Sequence, residues 1–201
     1  GISNKIMSVI GHFFRWSVGL AKAETQTTVN ERACLQRHAQ GRRRLAEIGV
    51  WHGVTTTLLR QAMATDGILF AVDPFLPGRL GFSIQKIIAH REVAKISNGT
   101  VHWLRLPGNL AALDKTVGVA PIDFLFIDGD HSYEGIQADW EAWSPLISHD
   151  GIAAFHDSRS TTDRPIENAG SVLYTQSVVL ADSRFVLLDE VESITVVRRK
   201  S

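Results

Sequence analysis

Short apolar runs recur along this chain, and helical segments separate them. Leu45–Val50, Ile68–Val72, Val101–Leu106, Ile122–Ile127 and Gly151–Phe155 read as strands. Gly53–Ala64, Phe82–Ile96, Asn109–Val117, Tyr133–Ile147 and Ala169–Leu180 carry helical patterns. Such alternation predicts βαβ units and a mostly parallel sheet. Runs with no polar face belong to a sheet covered on both sides. Arg184–Leu188 and Ser193–Val197 then read as a closing hairpin. The expected fold class is α/β, a doubly wound, mostly parallel seven-stranded sheet with an antiparallel C-terminal hairpin.

Composition bounds the partners. A length of 201 residues suits one domain, with 44% hydrophobic and 21% charged residues. Lys plus Arg and Asp plus Glu are 21 each. A zero formal charge argues against a dedicated nucleic-acid binder. Cys34 is the one cysteine, which excludes an intrachain disulfide and a Cys-rich zinc site. A cytoplasmic setting is the simplest expectation. No run of about 18 apolar residues predicts a membrane span. Three arginines at 42–44 read as a solvated strand entry.

Residues 1–40 stand apart as an expected helical lid or oligomerisation segment, with the main domain at 41–201. Ile6, Ile10, Phe13, Phe14 and Val18 predict a one-sided helix over 3–22 that packs on the domain or on a second copy. Asn30 to Gln40 reads as a short helix with Asn30 as its N-cap.

In parallel sheets, ligands bind beyond the carboxyl ends of the strands. The first such end reads Glu47-Ile48-Gly49-Val50-Trp51-His52-Gly53. Glycines there admit close backbone approach, and the next helix offers free N–H groups. Trp51 stands where a dinucleotide fingerprint has its middle glycine, so that fingerprint fails. Asp73, before Pro74, is open to two readings: an acceptor for ribose hydroxyls or an Asx-Pro turn. Pro107-Gly108-Asn109 reads as an adenine border or as an ordinary turn with a cap.

Glu47, Gly49 and Gly53 with Asp73 resemble motif I and the acidic loop of class I S-adenosylmethionine-dependent methyltransferases. The resemblance spans roughly residues 30–200 and implies a Rossmann-like fold with helices on both faces. It implies cofactor binding by Glu47, Gly49, Trp51, Gly53, Asp73, Asn109 and Asp128.

A second constellation lies in Ile127-Asp128-Gly129-Asp130-His131 and Phe155-His156-Asp157-Ser158. Neighbouring strand ends bring Asp157 near Asp128. Converging carboxylates need a cation or a proton to compensate them. Each acid alone reads equally as a cap. This region resembles the metal-assisted O-methyltransferases of catechol and macrolide-sugar type. The resemblance implies a divalent metal, Mg²⁺ first, on Asp128, His156 and Asp157, with Asp128 and His131 catalytic and His131 the base. His156 stands where sugar-modifying relatives often carry Glu, and Ser158 where catechol-type relatives often carry Asn. A His/Asp/Asp set also accepts Mn²⁺, Fe²⁺ or Zn²⁺.

The expected function is methyl transfer to a hydroxyl of a small diol, phenol or sugar-like acceptor. Segments 1–40, 74–82 and 157–168 are the expected substrate lids. Trp51, Trp140 and Trp143 are candidate pocket walls, the latter two equally core. The alternatives are a nicotinamide-dependent oxidoreductase and a non-catalytic cofactor-binding protein.

Overall fold

The computed structural model describes residues 26–78 and 81–201. The strands are β1 (Arg44–Ile48), β2 (Ile68–Val72), β3 (Thr100–Leu104), β4 (Ile122–Ile127), β5 (Ile147–Phe155), β6 (Phe185–Val191) and β7 (Ile194–Arg199). They form one sheet in the order β3-β2-β1-β4-β5-β7-β6. The pairs from β3 through β5 are parallel. β7 lies antiparallel between β5 and β6. The architecture is the mostly parallel, seven-stranded one with an antiparallel end.

Each central strand splits its side chains between two cores, because successive residues point to opposite faces. Ala46, Ile48, Leu125 and Ile127 join one cluster with Trp140 and Trp143. Leu45, Phe124 and Phe126 join the other with Leu35 and Leu59. Both faces are covered, so the strands read as continuous apolar runs. Trp140 and Trp143 are therefore core residues, not cavity walls.

Among the described residues, the α-helices are α1 (Val29–Ala39), α2 (Val54–Ala62), α3 (Ile84–Val93), α4 (Gly108–Ala111), α5 (Tyr133–Trp143) and α6 (Gly170–Tyr174). The N-cap of helix α1 is Thr28 rather than Asn30, two residues earlier than expected. The Thr28 hydroxyl accepts from Glu31 N at 3.1 Å, and the Glu31 carboxylate accepts from Thr28 N at 2.9 Å. This reciprocal box satisfies two donors where Asn30 could cap only one. Cys34, Leu35 and Ala39 of α1 share a core cluster with Leu45 of β1. A boundary at residue 40 thus cuts through a packed unit. The helix expected over 3–22, and self-association through it, lie outside the described residues.

Other differences have local causes. The helix from Tyr133 stops at Trp143, and a tight turn over Ser144–Leu146 carries Pro145, which removes an amide donor. Strand β5 consequently begins at Ile147 rather than Gly151. The expected 109–117 helix is a single turn at its start. Helix α6 continues as a π-turn over Thr175–Val179, with Leu180 N donating to Thr175 O at 3.0 Å. The strand-entry arginines are not all solvated: Arg44 donates to the Thr116 and Val117 carbonyls and lies over Phe70.

Trp143 links core to site. Its ring is fully buried, and its Nε1 donates to Gly108 O at 2.8 Å. We expect Trp143→Ala to cost about 3–5 kcal/mol through cavity creation. Trp143→Phe should cost about 1–3 kcal/mol through the unpaired Gly108 carbonyl. Urea unfolding of both variants checks this.

Candidate active site

A cavity of about 460 Å³ opens beyond the carboxyl ends of β1, β2 and β4. That volume suits a small-molecule cofactor or ligand. Its wall includes Gly49, Trp51, Asp73, Asn109, Asp128 and His131. Gly53, Glu47, His156 and Asp157 are not among its lining residues.

Gly49 is where two strand ends nearly touch. Its φ is +92°, and a Cβ there would stand 2.6 Å from the Asp128 carbonyl carbon, closer still to its oxygen. Only glycine tolerates both. Gly49 N donates to Val72 O at 2.8 Å, and Asp128 N donates to Ile48 O at 2.7 Å. These bonds continue the sheet pairing into the loops. The loop after Gly49 is held by Asp73, whose Oδ2 accepts from Val50 N at 3.0 Å and Trp51 N at 3.3 Å. Its Oδ1 accepts from Phe75 N at 2.8 Å. Asp73 therefore shapes the glycine turn while still lining the cavity. The Phe75 bond is the Asx-Pro turn of one of its two sequence readings. Trp51 is 40% exposed and stacks on His52 at 4.5 Å.

Glu47 is fully buried and faces α2, where the Thr56 hydroxyl donates to it. Burial pushes its carboxyl well above the ordinary range, against the Thr56 bond. It braces the turn from behind.

Asp139 is a cavity residue that the sequence reading did not single out. It projects from α5, and burial with the nearby Asp130 charge raises its carboxyl to about 6. Gly108 makes room for it: a Cβ at 108 would stand 2.6 Å from Ile48 Cγ2 and closer to Asp139 Oδ1. In sequence, Asp139 looks like any polar helix residue.

Asp128, His156 and Asp157 do converge, with two partners absent from the sequence reading. His156 is 1% exposed. Its Nδ1 lies 2.8 Å from Asp128 Oδ1 and 3.5 Å from Asp157 Oδ2. Its Nε2 stands 3.5 Å from Glu31 Oε1, an ion-pair separation rather than a hydrogen bond. Burial pulls the ring's pKa down, but the carboxylates around it outweigh burial and raise it to about 10. Burial likewise opposes ionisation of Glu31, yet His156, Ser193 and Thr28 bring that carboxyl down to about 2. Arg164 forks onto Asp157, with Nε to Oδ1 at 2.5 Å and Nη2 to Oδ2 at 2.9 Å. His131 is 44% exposed, and its Nε2 stands 3.8 Å from Asp157 Oδ2.

A divalent cation does not fit the expected ligand set in this arrangement. His156 Nδ1 is paired with Asp128 Oδ1 at 2.8 Å and Nε2 faces Glu31 Oε1 at 3.5 Å, so both ring nitrogens are turned to carboxylates rather than to an open ligand position. Both Asp157 oxygens are engaged by Arg164. Among the described residues, the cluster whose ligand atoms lie within 4.8 Å of one another is Cys34, His38 and Asp189, on α1 and β6.

The winding of the sheet, with a cavity where β1 meets β4 and a turn of the Glu47–Gly53 type, defines a class I methyltransferase fold. A methyltransferase-domain family model matches residues 46–158, and the chain belongs to that family. An uncharacterized protein of Sinorhizobium fredii is 31% identical over 126 residues, 60% of this chain. The match covers 14% of that relative's own length. An O-methyltransferase from Bacillus cereus, in complex with SAH, superposes with a TM-score of 0.62 at 18% identity, covering 96% of this chain and 91% of that one. The O-methyltransferase TomG of Streptomyces achromogenes, in complex with SAM, gives 0.64 at 16% identity, covering 96% and 88%. The N-methyltransferase NodS of Bradyrhizobium japonicum gives 0.59 at 11% identity, covering 97% and 98%. These likenesses establish the fold, and the neighbours methylate different atoms. Among the described residues, no helix is long and apolar enough to cross a membrane.

Two measurements probe this site's construction. Gly49→Ala should destabilise the protein by about 1–3 kcal/mol through backbone strain, and by more if the Asp128 loop cannot shift. Its urea midpoint reads this directly. The raised pKa of His156 also sets a pH window. A group whose folded pKa exceeds its unfolded value stabilises fully below the unfolded value. That stability is lost as pH rises through the folded value. The His156 contribution should therefore fall from pH 6.5 toward about 10. His156→Gln should flatten that slope in urea unfolding followed across the same range.

Proposed function

We propose that this protein transfers a methyl group from S-adenosylmethionine to a hydroxyl oxygen of a small molecule. The observation that carries the reading is the position of His131. It lines the cavity, and its Nε2 stands 3.8 Å from the Asp157 carboxylate. A general base needs access to the proton it takes and a partner for the charge it acquires. His131 has both. Family membership supports the methyl chemistry, and the two O-methyltransferase neighbours support oxygen as acceptor.

In this reading Gly49, Trp51, Asp73, Asn109 and Asp128 hold the cofactor. Glu47 and Gly53 shape the turn. Asp73 uses its remaining lone pairs for the ribose hydroxyls. The acceptor oxygen attacks the sulfonium methyl in line. The carbon–sulfur bond breaks with its electron pair on sulfur, leaving a neutral thioether. The acceptor proton passes to His131 Nδ1, the ring nitrogen that does not face Asp157, and Asp157, 3.8 Å from Nε2, stabilises the imidazolium. Catalysis is largely alignment plus proton removal. Divalent-metal assistance is not part of this reading, because Asp128, His156 and Asp157 are engaged with one another and with Arg164. Hydride transfer to nicotinamide has no comparable support, since Trp51 fills the place of the middle glycine.

Calorimetry with S-adenosylmethionine tests the donor, and methyl transfer from labelled donor to a panel of alcohols, phenols and sugars tests the acceptor. His131→Gln should lower turnover by about 10²–10⁴-fold while leaving donor affinity unchanged. Donor binding with no transfer to any hydroxyl, or full activity in His131→Gln, would overturn the proposal.

A further inference from the structure

We propose that two side chains of this chain, His156 and Arg164, occupy the electrostatic place of a divalent cation, so that the site works without a metal. The inference rests on reading the cavity as a methyl-transfer site, and its first test does not depend on turnover.

Three carboxylates meet two basic side chains on named atoms. Asp128, Asp157 and Glu31 bring three carboxylates to the ends of β4, β5 and α1. His156 lies among them, with Asp128 Oδ1 at 2.8 Å and Glu31 Oε1 at 3.5 Å from its two ring nitrogens. One ring thus fills the space between two carboxylates, with a nitrogen turned to each. Arg164 reaches from the 157–168 loop and binds both oxygens of Asp157. Fork geometry of this kind is the strongest available to a guanidinium. An imidazole and a guanidinium thus stand where a divalent ion would.

The exchange has a consequence for the acceptor. A bound cation could chelate two neighbouring oxygens and acidify one. His156 is buried and turned toward Asp128 and Glu31, so it presents no open coordination position. Arg164 spends Nε and Nη2 on Asp157. The acceptor then meets one base, His131, and needs only one hydroxyl. Vicinal diols gain nothing from chelation here. Arg164 acts as a positioning residue, fixing the carboxylate that faces His131.

Mn²⁺ titration of the purified chain, followed by electron paramagnetic resonance, tests the first point. The free-ion signal should persist at stoichiometric metal. Uptake of one Mn²⁺ that is lost in Asp157→Asn would overturn the inference. Methyl transfer should be unchanged by chelator, and Mg²⁺ should give vicinal diols no advantage over single hydroxyls. A chelator-sensitive rate restored by Mg²⁺ would also overturn it. Arg164→Ala should lose rate, with donor affinity kept, and free guanidinium ion should restore the rate where Mg²⁺ does not. Rescue by Mg²⁺, or by neither ion, counts against Arg164. If that variant does not fold, Arg164→Lys, which keeps the charge but loses the fork, should retain part of the rate. A rate in Arg164→Lys equal to that of the native chain would exclude the fork's role. Should the native chain transfer methyl to no acceptor, the functional reading falls while the Mn²⁺ titration still decides the cation question.

Discussion

The contact on which the site depends is the near-collision of β1 and β4 just past their last paired residues. The winding of the sheet reverses between these strands, so their loops part to opposite faces and leave a crevice. At its floor, Gly49 passes so close to the Asp128 carbonyl that no side chain fits between them. That approach carries the β1 loop across the crevice and sends Asp128 along its edge. Asp73 from β2 then ties the loop down through the Val50 and Trp51 amides. Each element is ordinary. The cavity follows from their meeting at one place.

Around this floor the molecule uses buried carboxylates in different ways. Glu47 is sealed under the loop, and its ionised form is disfavoured. Asp139 is raised by burial and by Asp130. Glu31 and Asp157 are held ionised by cations beside them, because burial is opposed there by His156 and Arg164. A buried carboxylate either keeps a proton or acquires a positive partner. Both solutions stand within one sheet edge. Ser171 binds the Asp157 carbonyl and the His131 carbonyl through its side chain and amide, at 2.7 Å and 2.9 Å. Helix α6 thereby ties the His131 loop to the Asp157 loop.

Much of this was legible beforehand where a pattern is local. The apolar runs at 122–127 and 68–72 announced covered parallel strands, and Gly49 with Asp73 marked the loop beyond them. Asp128 and Asp157 were legible as converging acids because the topology places β4 beside β5. Arg164 was not, because it sits in a polar loop with no periodicity to place its side chain. Glu31 was hidden for a similar reason. It reads as a first-turn helix acid, and only the packing of α1 against the β6–β7 turn buries it beneath His156.

The sequence by itself determined the sheet, its winding, the crevice and the residue types gathered there, because strand periodicity and turn chemistry are carried by near neighbours. Tertiary structure alone decided what compensates the gathered carboxylates. That choice depends on which cation comes within bonding distance, and Arg164 and His156 reach Asp157 and Asp128 only once the strands, the 157–168 loop and α1 have closed around them.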